Sequence, residues 1–278
     1  MGRLPRTDVE GGIHHVMNRG VDHQPIFFAD ADRVEFGRLL GESHTKWGVE
    51  TLAYCLMDNH YHLILHTPDG GLSEAMQYLG LVYTRHTNDR VGRDGPICRG
   101  RFASMLITTH SYLLQASRYV HRNALDLPGV RRPDGYRWSS YRAYLGHRRP
   151  PPFLNTEPVL DIVGGDRSAL ARFTDGDDSI SRWGADDLVQ LVRFAIARSV
   201  VAAPDGAPTN ISERLVLLGV LDRLAASSLT RELVDSLDFP TATARRMALK
   251  RSRDRAHDPA VDRIIRSVVD EWPAPLVA

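Results

Sequence analysis

The chain has 278 residues, 42% hydrophobic and 25% charged, with a formal net charge of +1, which is enough apolar material for one large or two modest cores, so a folded chain rather than a disordered one is expected. No apolar run approaches the ~20 residues that span a bilayer, and the start MGRLPRTDVEGG has no apolar core of the signal-peptide kind, so a cytoplasmic protein without a membrane segment is expected. The two cysteines, Cys55 and Cys98, build no CxxC zinc site and are expected to be unpaired thiols.

Residues 12–21 (GIHHVMNRGV) read as a strand, and Asp30 to Trp47 as a helix with Val34, Phe36, Leu39 and Leu40 at helical spacing. Val49 to Met57 and His60 to His66 are β-rich runs broken by Asp58 and Asn59, the polar pair of a hairpin. Residues 71–91 form a second expected helix, with Ser73 as its cap, and 101–109 a fourth strand. A third helix, His110 to Leu125, follows and is stopped by Leu127, Pro128 and Gly129. The order β-α-β-β-α-β predicts an α+β fold, a ferredoxin-like antiparallel sheet with helices on one face. It occupies residues 1–149. The proline-rich HRRPPPF then opens a stretch, 150–185, that reads as linker plus small helices. Residues 186–278 read as a helical domain, in which LTRELVDSLDFPTATARRMALKRSR has the shape of a helix-turn-helix or of an ordinary helix pair.

Charge is uneven along this plan. Residues 85–149 hold 13 arginines against four acidic residues, while 150–240 hold eight arginines against 14. A cluster of Arg over a short span suits phosphate backbones, because a guanidinium grips phosphate with paired hydrogen bonds; a solvated basic face reads the same way.

The sharpest local pattern is NHYHLILH. On a strand, His60 and His62 project from the same face, and two neutral imidazoles there suit a divalent metal ion. His66 shares that parity but lies ~13 Å from His62, too far for the same ion. In SRYVHRNAL, Tyr119 and Asn123 are one helical turn apart. Tyr119 is a candidate nucleophile and Asn123 a candidate oxygen ligand. Tyr119 as a packed core residue is the plainer alternative.

With HHVMNRGV, QPIF, MDNHYHLIL, GRF, RYVHRN and YRWSSYRAYL in order, residues 12–146 resemble the HUH single-strand endonucleases and transposases, and more closely the REP-associated tyrosine transposases of the insertion-sequence Y1 branch. The resemblance implies that His60, His62 and Asn123 hold a divalent metal, Mg²⁺ or Mn²⁺, and that Tyr119 attacks single-stranded DNA beside a palindromic hairpin to form a 5′-phosphotyrosine. It also implies strand transfer, by a monomer or a homodimer. Relatives continue the tyrosine motif as Asn-Pro-Val-Arg, whereas this chain has Asn123, Ala124, Leu125 and Asp126, a change at the helix end. Arg85, Arg99, Arg101, Arg118, Arg122, Arg131 and Arg132 are candidate DNA contacts, and His15 faces the site or is structural. Tyr136, Trp138 and Tyr141 either stack on unpaired bases or pack against the sheet. Two other readings stay open: a metal-dependent phosphoesterase using activated water, and a non-catalytic DNA-binding regulator.

Overall fold

The structure, a computed structural model, describes residues 8–176 continuously and, beyond them, 188–193, 195–196, 212–223, scattered positions between 247 and 254, and 258–271. Two compact units divide the chain, Met1–Ile180 and Ser181–Ala278.

In the first unit, β1 (Gly12–Arg19), β2 (Glu50–Leu56), β3 (His60–Thr67) and β4 (Ala103–Ile107) form one antiparallel sheet in the order β2-β3-β1-β4. The helices between them are α1 (Asp30–Trp47) and α2 (Leu72–Val91). This is the expected β-α-β-β-α-β order. Alternation assigns the faces: Val16, Leu63 and Leu65 point to one side, where they join Phe36 and Leu39 of α1 and Met76, Leu79 and Tyr83 of α2 in the main core. Both helices therefore share a face.

The start of α1 is tied to the end of α2 through buried Asp32, whose carboxylate accepts from the Phe28 and Ala29 amides (2.7 and 2.8 Å) and from both forks of Arg90 (2.8 and 2.7 Å). Ser73 is not the cap of α2. Gly71 takes that position in a left-handed conformation (φ 82°), and the Asp8 carboxylate accepts from the amides of Leu72 and Ser73. A carboxylate there also meets the positive end of the helix dipole.

The other face of the sheet carries α3 (His110–Arg122), capped by the Thr109 hydroxyl accepting from the Tyr112 amide. The helix ends one residue before Asn123, and Asn123–Asp126 continues as a 3₁₀ turn, so the motif end that departs from the relatives is a tightened last turn. The short helices α4 (Tyr141–Tyr144), α5 (Glu157–Ile162) and α6 (Arg167–Asp175) follow; α5 and α6 pack against α3. The stretch expected as linker plus small helices carries α5 and α6, and its part up to Ile180 falls in the first unit.

The segment WSSY closes the open edge of β2. Leu56 donates its amide to the Trp138 carbonyl (3.0 Å), and Ser140 donates its own to the Tyr54 carbonyl (2.9 Å), which leaves less free edge to pair with another chain. Cys55 and Cys98 are both free thiols. Burial drives both pKa values up, that of Cys98 to about 12, so neither is a nucleophile at neutral pH.

In the second unit, helices Glu213–Arg223 and Pro259–Glu271 pack together, with Asp262 pairing with Arg223 and, at 2.7 Å, with Arg266. The turn and most of the helix pair expected around 229–253 lie outside the described residues. Among the described residues no helix is long and apolar enough to cross a membrane.

Candidate active site

The α3 face of the sheet is where the chemistry-bearing residues meet. Strand pairing sets Met17 opposite His62 and Arg19 opposite His60, so His15, Met17, Arg19, His60 and His62 all project to that side. α3 then lays Tyr119 over them. The Tyr119 ring is 5.2 Å from that of His62 and 5.8 Å from that of His15, and the His60 and His62 rings are 5.2 Å apart.

Hydrogen bonds orient both imidazoles. Asn59 donates its Nδ2 to the His23 carbonyl (3.2 Å), which turns its Oδ1 toward Nδ1 of His60 at 2.7 Å. Nδ1 of His60 therefore carries the proton and Nε2 keeps a lone pair. Nδ1 of buried His62 lies 3.2 Å from Nε2 of buried His15, so the two rings orient each other. Burial, with Arg19 and His23 nearby, lowers the His60 pKa to about 4, and a hydrogen bond to Asn123 partly offsets this. His60 is neutral at physiological pH. Asn123 is buried, and its Nδ2 donates to the Tyr119 carbonyl at 2.8 Å, which turns its amide oxygen toward His60.

Two imidazoles on one strand face and one amide oxygen fit a divalent cation with N and O ligands. His66 takes no part, because its Nδ1 pairs with Glu50 at 2.9 Å.

The arginines divide. Arg99 and Arg101 are exposed in the segment before β4, with the Arg99 amide donating to the Arg19 carbonyl at 2.9 Å. Arg131 and Arg132 are exposed, and Arg132 pairs with Asp134 at 3.1 Å. Arg85 is exposed on α2, on the side of the sheet away from His62 and Tyr119, so it is not brought to this site. Arg118 lies 4.7 Å over the Phe173 ring and Arg122 donates to the Thr174 carbonyl at 2.8 Å. These two fasten α3 to α6, because their side of the helix faces that neighbour. The aromatic candidates are likewise engaged: Tyr141 is buried beside His121 (5.0 Å between rings), Tyr136 donates its hydroxyl to the Leu56 carbonyl at 2.6 Å, and Trp138 donates Nε1 to Asp30 at 3.0 Å beneath the Arg137 guanidinium. Packing is the role the structure gives them.

The residue that reading along the chain misses is Arg19. Counting by twos from His15 reaches Met17 and then Arg19, so strand parity alone places it on the site face.

Residues 9–123 match the family model described as Transposase IS200 like. No curated protein matches the chain. A solved structure of a REP-associated tyrosine transposase bound to a REP hairpin is similar at 14% identity, covering 56% of this chain and 92% of that one with a TM-score of 0.47. The family match spans β1 to Asn123, the segment that brings His60, His62 and Tyr119 together, and over that segment, less than half of the chain, the protein is similar to the IS200-like transposases.

Proposed function

We propose that this protein is a transposase, a metal-dependent single-strand DNA endonuclease and strand transferase acting in the cytoplasm beside DNA hairpins through a 5′-phosphotyrosine on Tyr119. The observation that carries the reading is the Tyr119 ring standing 5.2 Å from the His62 ring, with His60 a further 5.2 Å along the same strand. His60, His62 and Asn123 would hold Mg²⁺ or Mn²⁺. When bound, that ion supplies Lewis-acid polarisation of the scissile phosphate.

The Tyr119 oxygen attacks phosphorus and gives up its proton to solvent. The P–O3′ bond breaks, and the 3′ oxygen leaves with the electron pair and takes up a proton. A phosphodiester has been exchanged for a phosphotyrosine ester, so a second 3′-hydroxyl reverses the step on a new strand without a nucleotide cofactor. His15 holds His62 in place from behind. Exposed Arg99 and Arg101, at the end of the sheet where β1 leaves the site, suit the flanking DNA backbone.

The test is incubation of the full chain with labelled hairpin oligonucleotides and Mn²⁺, followed by denaturing electrophoresis. A metal-dependent covalent adduct that disappears in Tyr119→Phe is expected. Cleavage that leaves no adduct would assign attack to water and remove Tyr119 from the chemistry.

A further inference from the structure

The first strand ends in Asn18-Arg19-Gly20, and the structure gives each residue a distinct task. Asn18 is buried on the α1 and α2 face, where its Nδ2 donates to the Gly100 carbonyl at 3.1 Å and its Oδ1 accepts from the Arg19 amide at 2.9 Å. The Arg19 carbonyl accepts from the Arg99 amide at 2.9 Å. The main chain of Arg19 is thus held at both its polar groups.

Gly20 makes the turn that follows. A Cβ there would lie 2.0 Å from the Gln24 carbonyl oxygen, so only hydrogen fits. Asp22 and His23 then adopt positive φ values of 49° and 60°, a conformation that costs a non-glycine residue about 1 kcal/mol or more. That turn brings His23 back to Arg19, with Nδ1 of His23 3.4 Å from Nη1. It also presents the His23 carbonyl to Asn59, the residue that fixes the His60 tautomer.

The side chain so placed is a partly buried guanidinium directly across the strand from His60, on the face that Tyr119 covers. Among the described residues no carboxylate forms an ion pair with it. Holding a partly buried cation across the strand from neutral His60, in a turn that stores backbone strain, is unfavourable unless an anion completes the site.

We propose that Arg19 is a catalytic residue that grips a non-bridging oxygen of the scissile phosphate between Tyr119 and His60, with His23 holding its guanidinium in place. Burial lowers the Arg19 pKa and the negative charge of an ionised Tyr119 raises it, which agrees with the two groups lying close together. Arg19 exchanges no proton and forms no bond. It contributes fixed charge where the phosphorane develops negative charge, and its two parallel N–H groups match phosphate geometry as a lysine does not. The proposal rests on the reading of Tyr119 and the histidines given above.

The full chain and its Arg19→Ala and Arg19→Lys variants are compared in two assays. In single-turnover cleavage of a hairpin oligonucleotide with Mn²⁺ at saturating protein, Arg19→Ala is expected to be about 10²–10³-fold slower, with Arg19→Lys in between. Added guanidinium ion should restore Arg19→Ala at least several-fold and leave the wild type unchanged. In metal-free binding, the wild type should prefer an oligonucleotide with a 5′-phosphate over the same strand with a 5′-hydroxyl, and Arg19→Ala should lose that preference. Cleavage by Arg19→Ala within threefold of wild type would overturn the proposal and leave the tyrosine reading standing. A loss without guanidinium rescue and with the 5′-phosphate preference intact would also overturn it, by making Arg19 structural. If Tyr119→Phe still cleaves, the tyrosine reading fails, while the rescue and the phosphate preference still decide for or against Arg19.

Discussion

His15 and His62 meet through their ring nitrogens, Nε2 to Nδ1 at 3.2 Å, with both rings buried under α3. The contact is between neighbouring strands, 47 residues apart in sequence, and it fixes the orientation of the His62 ring beside Tyr119. A histidine that orients another in this way acts on metal affinity without touching the ion. His15→Ala should therefore weaken Mn²⁺ binding by about 10–100-fold, read by titration calorimetry on the DNA-free protein. Affinity equal to wild type would show that His62 needs no support from His15.

A second network fixes the helix that carries Tyr119. Ser140 Oγ accepts from the Tyr54 amide at 2.9 Å and lies 2.9 Å from Nε2 of His121, on the turn after Tyr119. Ser140→Ala leaves the buried Tyr54 amide and the His121 ring nitrogen without this partner and should cost about 1–3 kcal/mol, measured as a lower urea midpoint for the first unit. It should slow cleavage only as far as the folded fraction falls. A large rate loss in fully folded protein would give the network a role beyond stability.

His121 also makes stability depend on pH. Full burial drives its pKa down to about 3, against ~6.5 in an unfolded chain. Between those values the unfolded state binds the proton and the folded state does not. Its contribution is complete above pH ~6.5 and is lost as pH falls toward 3, at no more than about 1.4 kcal/mol per pH unit. His121→Leu should be less stable at pH 7 yet show a flatter decline of the urea midpoint from pH 6.5 to 4. Parallel declines for the two proteins would contradict this.

Gly20→Ala should be among the more damaging small substitutions, because the added methyl meets the Gln24 carbonyl rather than a movable side-chain end. A loss of about 2 kcal/mol or more is expected, from displacement of backbone at a position that already adjoins strained residues. Thermal unfolding checks it, and a wild-type midpoint would mean that the turn relaxes at no cost.

Much of the fold was legible because two periodicities alternate cleanly: the helix expected at Asp30 to Trp47 has those bounds, and the strand pair broken at Asp58 and Asn59 is a hairpin. The side of the sheet taken by α3 was not legible, since helical spacing says that a face is buried but not against which layer. Ser73 was misread for a related reason: its helix is capped by Asp8, 64 residues before Leu72 in sequence, and no local pattern reports such a contact. Spacing made His60, His62, Tyr119 and Asn123 candidates, and the roles proposed for them came from the family resemblance. Arg118 and Arg122 are neighbours of Tyr119 in sequence, yet they point to α6. Arg19 is remote in sequence and adjacent through strand register, and proximity along the chain is a poor guide to which cations line a site on a sheet.

The most direct test of the account is to digest the trapped protein–DNA adduct with trypsin and nuclease and to weigh the peptides. Cleavage after Arg118 and Arg122 isolates the four residues Tyr119–Arg122, and the account predicts that this peptide carries the mass of a 5′-nucleotide joined through phosphate. A nucleotide on any other peptide would contradict it.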